Sequence, residues 1–512
     1  MSSTKVSAGK IRKAGGASGM MMALTHMAYF SVAILLVCVT PRGFLGDMQG
    51  VEGTVLIVGA LGIWRYSWAT LNFSRALYFK LKTYPRWKKA REAAFAQSTS
   101  KHHCYFMVTS FMVDQDVTLP VYRSIFKAGM AARDGATIVA SVVDGMDERL
   151  IRDIYNATVT DRTHVALVID RIKSSGKRDA MQKALRILAS FSPRKDDIMV
   201  FVDGDTIVPE DIWARCAPVF LDPKVGALTT DEAAIIDKPG LFKDWFTLRF
   251  NQRQVMMCSM GLSNRVLTLT GRMSVFRADL STDPTFLRAV GEDYLDHWRL
   301  GRVNFLTGDD KSTWFWLLSR GYETAYLPDV QSRSYETQPS DSFYDSSKTL
   351  MVRWFGNMMR TNGRAIAMGP RDMGFFTWWS ILDQRVSCWT TMVGPISVLI
   401  TAVLSSPIVI PLYISWVMMT RYMFSAYIAM FNREWFPVTH PFILYFGQVS
   451  GAIIKTFVLF RLDRQKWTRQ GSGGGGKVLS FYERLKMAES TAYQTLAYGW
   501  LSLAILYLNT LE

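Results

Sequence analysis

Cysteine is scarce in this sequence: Cys38, Cys104, Cys216, Cys258 and Cys388 are the only five, far apart and without CxxC spacing. That pattern suggests neither a disulfide framework nor a zinc site, and it fits a reducing, cytosol-facing body. Acidic residues are in deficit, 43 against 59 lysines and arginines, which leaves a formal charge of +16. Such a surplus suits anionic partners: nucleic acid, acidic lipid, a nucleotide-activated substrate or a polyanionic product. A phosphate-cradling glycine-rich loop ending in GK[ST] is also missing, which counts against a nucleotide-hydrolysing or nucleotide-sensing transporter.

Apolar residues, by contrast, are plentiful. They make up 49% of the 512 positions, high for a soluble protein of this size, so a membrane component is expected. Met20 to Thr40 and Thr54 to Phe73 are each close to the roughly 20 residues a spanning helix needs, and read as a helical hairpin. Lys5, Lys10, Arg12 and Lys13 precede the pair, and Arg75, Lys80, Lys82, Arg86, Lys88, Lys89 and Arg91 follow it. Positive flanks on both sides place both in the cytosol. Val386 to Leu404, Pro407 to Met430 and Tyr493 to Leu508 complete five expected spans. Residues 441 to 460 are long enough to cross, but carry Gln448 and Lys455 and lead into a basic stretch, so an interfacial amphipathic helix is expected there. Residues 372 to 385 read as a second interfacial helix. Three regions follow: 1–95, a cytosolic N-terminus and hairpin; 96–365, a cytosolic domain; and 366–512, interfacial and spanning helices.

Between about 100 and 350, short β-rich runs such as "CYFMVTSF", "ATIVASVVDG", "HVALVID" and "DIMVFVDGD" alternate with stretches of helical period. This predicts an α/β, Rossmann-like domain with a mainly parallel sheet, whose ligand sits beyond the carboxyl ends of the strands. Two acidic sites fall there: Asp144 with Asp147, and Asp203 with Asp205. Two carboxylates one residue apart after a buried strand suit a hard divalent cation that also takes diphosphate oxygens. Lys177 and Arg178 stand on a loop before a helix, where a nucleotide contact and a solvated helix start are both open readings.

Four motifs in order, Asp144, "DGD" at 203–205, "TGDD" at 307–310 and "RW" at 353–354, lie between the membrane pairs. They resemble the processive membrane-embedded family 2 glycosyltransferases, the cellulose, chitin and hyaluronan synthases. Longer strings, among them "LTGRMSVFRA", "HWRLGR", "FLTGDDKSTWF", "DQRVSCWT" and "FRLDRQKWTRQ", are similar to the alginate synthases of that family, which polymerise mannuronate. The resemblance implies a glycosyltransferase-A type domain inserted between helix pairs in a bacterial inner membrane. It also implies Mg²⁺ or Mn²⁺, GDP-mannuronate as donor and β-1,4-linked polymannuronate as product. A separate membrane subunit that binds cyclic-di-GMP is a further implied partner, since no RxxxR arm followed by DxSxxG is evident here. Nothing in the spacing separates this from a UDP-sugar synthase of hyaluronan, chitin or cellulose type, and no nucleic-acid partner is implied.

The resemblance implies roles residue by residue. Asp144 contacts the base or ribose, with Lys177 and Arg178 beside it. Asp203 and Asp205 sit at the diphosphate, Asp205 as the more direct metal ligand. Asp310 matches the catalytic base and Asp309 its support, although Asp309 also reads as a helix N-cap. Arg353 and Trp354 match the end of a QxxRW motif whose glutamine is Leu350 here. Trp467 and Arg469 match a mobile loop over the diphosphate, and Gly271 and Arg272 lie near the acceptor terminus. Trp298, Trp354 and Trp389 offer faces for sugar stacking. Arg65, Arg385 and Arg421, at or within spans, suit the carboxylates of a polyuronate, and Arg65 reads equally as a side chain snorkelling to the interface.

Overall fold

The computed structural model describes residues 16–38, 52–173, 176–465 and 480–510. Trp467 and Arg469 lie outside the described residues. The described residues divide into two compact units: those of 66–389 with 452–497, and those of 1–65 with 390–451 and 498–512.

The larger unit is built on an α/β sheet. Its strands are β1 (Cys104–Thr109), β2 (Ala136–Val142), β3 (Val165–Arg171), β4 (Ile198–Asp203), β5 (Thr206–Ile207), β6 (Val225–Ile235) and β7 (Met273–Arg277). A hairpin of β8 (Tyr294–His297) and β9 (Gly301–Asn304) stands apart, and β10 (Glu323–Tyr335) rejoins the main sheet. The order β3-β2-β1-β4-β7-β6-β10-β5 is mainly parallel; β7 runs against β4 and β6, and β5 runs against β10. The four runs read from the sequence are β1 to β4, and they are the strands whose carboxyl ends form one edge. Thr109 sits opposite Ser141 on one side and Asp203 on the other, so the segments after β2 and β4 emerge together.

Both faces of these strands are covered, which is why they read as continuous apolar runs. Phe106, Val108, Ile138, Val139, Ile198 and Val200 are fully buried, each contributing about 1.5–3 kcal/mol by its removal from water. The helix Lys177–Ser190 packs on β1 and β2 through Ala180, Met181, Ala184, Leu185 and Leu188, an apolar stripe at helical spacing. That seating delivers its first residue, Lys177, to the carboxyl edge.

Four helices among the described residues are long and apolar enough to cross a membrane: Gly19–Leu36, Glu52–Gln97, Phe375–Leu404 and Thr439–Leu459. Two details differ from the sequence reading. No break falls between 385 and 386: one helix runs from Phe375 to Leu404, through Pro395, and the short helix Pro370–Met373 precedes it. Thr439–Leu459, expected at the interface, is among the four, and its polar groups are engaged. Gln448 accepts from Arg421 Nε at 2.6 Å, and Lys455 Nζ donates to Ser387 Oγ at 2.8 Å. Val409–Asn432 and Phe481–Thr510, expected to contain spans, form helices but are not among the four.

Inside the smaller unit an aromatic knot gathers around Tyr422, with Phe30 at 4.5 Å and Tyr29 and Phe436 each at 5.3 Å between ring centroids. His26 bonds Tyr422 Oη at 3.0 Å. Arg65 bonds Thr390 and lies 4.6 Å from the Trp64 ring centroid.

Candidate active site

The carboxyl edge gathers side chains from four separate stretches around one lysine. Lys177 Nζ lies 2.8 Å from Asp203 Oδ1 and 3.1 Å from Asp309 Oδ2. A Cβ on Gly271 would stand 3.5 Å from that ammonium and 3.9 and 4.0 Å from the Asp203 and Asp309 carboxylates, in ordinary van der Waals contact. Gly271 thus faces the cluster, and a small cleft there is lined by Thr109, Lys177, Asp203, Gly271, Asp309 and Asp310 among others.

Backbone geometry fixes the two acidic motifs. The middle residue of "DGD" must be glycine, because a Cβ on Gly204 would lie 2.2 Å from Ser110 Oγ and 2.9 Å from Ser110 Cα. Gly204 N also donates to Thr109 O at 2.9 Å, holding the turn against the end of β1. In "TGDD", Gly308 has φ +84°, a left-handed conformation that glycine adopts at little cost, and it caps the helix Asp309–Ser319. The expected cap role of Asp309 therefore falls to Gly308, which frees the Asp309 carboxylate for Lys177.

The charges in this cluster do not balance. Burial raises the pKa of Asp203 to about 7, with Asp205 and Asp309 adding and Lys177 opposing. Burial acts on Asp309 too, but Lys177 and Arg178 outweigh it and hold Asp309 below the usual carboxylate range. Asp310 is raised, by burial first and then by its neighbour Asp309, with Lys311 and Lys177 opposing. Burial lowers Lys311 to about 8, with Asp310 opposing, and its Nζ donates to Leu267 O at 2.7 Å. Adjacent carboxylates thus sit in opposite states, one held ionised and one biased toward a proton.

A divalent cation fits this donor set. Asp203 and Asp205 flank the tight Gly204 turn, one residue apart after a buried strand, and two carboxylates leave room for diphosphate oxygens and water. Among the described residues no group of three or more His, Cys, Asp or Glu side chains converges.

The remaining expected residues are placed as follows. Asp144 is exposed beyond β2, where Oδ1 accepts from Met146 N at 3.1 Å and caps the helix Gly145–Thr158. Arg178 is buried, and it bonds Val290 O at 2.7 Å, Thr307 O at 3.1 Å and Ser312 Oγ at 2.8 Å, so it braces the "TGDD" loop instead of facing a ligand. Arg272 is held by Glu336 and lies 3.7 Å from Glu232, while its carbonyl accepts from Asp203 N at 2.9 Å. Trp298 is 82% exposed on the β8–β9 turn, and its ring neighbours are His297 and Tyr493; the structure does not bring it to the cluster. Arg385 donates to Met359 O at 3.1 Å. Leu350 is buried in the helix Phe343–Met368, which also carries Arg353 and Trp354.

Several supporting residues escaped the sequence reading. Asn357 packs on Gly308 and accepts from Thr307 Oγ1 at 2.7 Å and from Arg360 at 2.5 Å. Gln465 clamps the approach to "TGDD", donating to Asn304 O at 2.7 Å and accepting from Leu306 N at 2.8 Å. Their only sequence signal is helical spacing from Trp354 and proximity to the basic stretch after 460.

Carboxylates at the carboxyl edge of such a sheet suit a sugar-transferring enzyme, and comparison supplies that class. Residues 102–357 match the family described as glycosyltransferase like family 2, and the chain belongs to that family. More particularly, it is 39% identical to "Glycosyltransferase alg8" of Pseudomonas syringae pv. tomato, over 90% of this chain and 93% of that protein. It is 37% identical to "Glycosyltransferase alg8" of Azotobacter vinelandii, over 91% and 93%. The resemblance to the alginate synthases read from the motifs is borne out by these relatives. Among solved structures, the mannosyltransferase PcManGT from Pyrobaculum calidifontis in complex with GDP-Man and Mn²⁺ is similar, with a TM-score of 0.48 and 16% identity. That likeness covers 78% of this chain and 98% of that one.

Proposed function

We propose that the chain is a processive, inverting glycosyltransferase of the bacterial inner membrane. It takes GDP-mannuronate, extends β-1,4-linked polymannuronate, the alginate precursor, and passes it through its own spans. The observation that supports this reading most is the Lys177–Asp203–Asp309 cluster beside the half-buried Asp310, in a chain that belongs with the alg8 glycosyltransferases.

An acceptor hydroxyl oxygen attacks the anomeric carbon in line, the bond from that carbon to the diphosphate oxygen breaks, and its electron pair leaves with the diphosphate. The hydroxyl proton passes to Asp310, whose raised pKa suits a general base better than an ordinary carboxylate does. Asp309, held ionised, supports Asp310. Asp205 and Asp203 would hold Mg²⁺ or Mn²⁺, which when bound offsets the charge developing on the diphosphate. Lys177 holds Asp203 and Asp309 in position and keeps Asp309 ionised. Asp144, Arg353, Trp467 and Arg469 serve the donor, and Gly271, Arg272 and Trp354 the acceptor. The domain at 96–365 is cytosolic, between the membrane-associated regions 1–95 and 366–512. A separate cyclic-di-GMP-binding subunit activates it in trans.

The deciding experiment offers purified full-length protein, with its partner subunit in nanodiscs, GDP-mannuronate and a set of UDP-sugars in separate reactions. Polymer is expected from GDP-mannuronate alone. Polymer from a UDP-sugar would overturn the donor assignment.

A further inference from the structure

The helix Leu241–Gly261 carries Trp245 and Arg249 four residues apart, on one face. The Arg249 guanidinium lies 5.2 Å from the Trp245 ring centroid and 4.5 Å from that of Trp354, and the two indoles stack at 5.5 Å and 23°. Cation–aromatic contact orients a guanidinium but does not neutralise it. Among the described residues no carboxylate pairs with Arg249. The acids of this corner are taken: Arg272 holds Glu336, and both Arg272 and Arg253 approach Glu232, at 3.7 and 3.5 Å. Burial, reinforced by the Arg272 charge, lowers Arg249 to about 10, the mark of a cation with too little anionic company.

Its position is set by two chains of contact to the carboxylate cluster. Trp354 stands one helical turn before Asn357, the residue packed on Gly308, next to Asp309 and Asp310. Phe250, the neighbour of Arg249, lies 4.9 Å from the guanidinium of Arg272, which adjoins Gly271 at the cleft. An unneutralised, pre-oriented guanidinium therefore sits beside the side of the site assigned to the acceptor.

We propose that Arg249 reads the acceptor, pairing its guanidinium with the carboxylate of a uronate unit at the growing end of the chain. A planar guanidinium meets a carboxylate through two parallel hydrogen bonds, and a neutral hexose in the same place leaves those donors unmatched. Selection for an acidic polymer then lies partly in the acceptor subsite. The inference rests on the uronate reading given above, and separate measurements distinguish the two.

Full-length protein in nanodiscs is titrated by calorimetry with an oligomannuronate and with the same oligosaccharide after its carboxyl groups are reduced to alcohols. The unsubstituted protein is expected to bind the acid about 10- to 100-fold more tightly. Arg249→Gln is expected to erase that preference by weakening the acid alone, and Arg249→Lys to restore part of it. GDP affinity, measured on each variant, reports an intact site; if Arg249→Gln loses it, Arg249→Lys against the unsubstituted protein decides. Equal affinity for both oligosaccharides, or equal weakening of both by the substitution, overturns the proposal. Polymer formation from GDP-mannuronate is followed in the same preparations. Preference for the acid without polymer removes the polymerase reading and leaves Arg249 its role; polymer without the preference does the reverse.

Discussion

Two clusters of charge in the larger unit both pair aspartate with lysine and behave in opposite ways. At the sheet edge, Asp203, Asp205, Asp309 and Asp310 lie close together and Lys177 binds only two of them. At the far side, Asp329 on β10 is one carboxylate with three partners: Lys88 at 2.6 Å, Arg215 and the hydroxyl of Tyr84. Asp329 is driven below the usual range: burial works against its ionised form, but hydrogen bonds from Lys88, Tyr84 and Arg215 outweigh it. Asp203 and Asp310 are driven above it. The second cluster is complete in itself and fastens the helix Tyr84–Gln97 to the sheet. In the first, burial holds Asp203 and Asp310 above that range although Lys177 opposes it, a state that suits a place where a ligand or a proton is taken up.

Removing the base probes that contrast hardest. Asp310→Asn should lower the polymerisation rate by about 10²–10⁴-fold with GDP binding retained; a variant that polymerises at full rate would place the base elsewhere. Next comes Lys177→Met, which strands Asp203 and Asp309 without their cation at a cost of about 3–5 kcal/mol. Its thermal midpoint should fall, and the deficit should shrink as pH drops, because protonation removes the stranded charge. An unchanged midpoint would show that the cluster is not short of positive charge. Asp329→Asn should cost only about 1 kcal/mol, since its ion pairs are partly exposed, and should leave polymerisation untouched. A folded pKa held low contributes stability above the unfolded value that is lost as pH falls through the folded one, so the variant and parent midpoints should converge in acid. Loss of polymerisation in this variant would erase the distinction between the clusters. The smallest effect is a displacement: because Asp310 must be ionised to accept a proton and its pKa is raised, the acid limb of the rate should lie above about 4. A limb at the ordinary aspartate value would mean that its neighbours do not tune it.

The sequence exposed strands β1 to β4 because strands covered on both faces are uninterrupted apolar runs. It hid β6 and β10, whose "TTDE" and "VQSRSY" segments carry polar side chains into the sheet, where Asp231 accepts from Tyr326 and Gln331 at 3.0 and 2.9 Å. The carboxylates of the site were legible as motifs. The use of Arg178 was not, since nothing in "SGKRD" tells a cation facing phosphate from one buried among carbonyls; that depends on the loop at 307, more than a hundred positions away. The pairing of Arg249 with Trp354 was hidden for the same reason, although the four-residue spacing from Trp245 was visible.

The turn at Gly204 carries a consequence for how such sequences drift. A side chain there meets not only the Ser110 hydroxyl but also its Cα at 2.9 Å, so trimming residue 110 to alanine or even glycine does not open the space. The middle letter of the acidic motif is therefore dictated by a gap between two backbones, while the outer letters answer to chemistry. A relative bearing any other residue at that position must carry its first strand elsewhere, and the displacement should be visible in its coordinates even where its activity is the same.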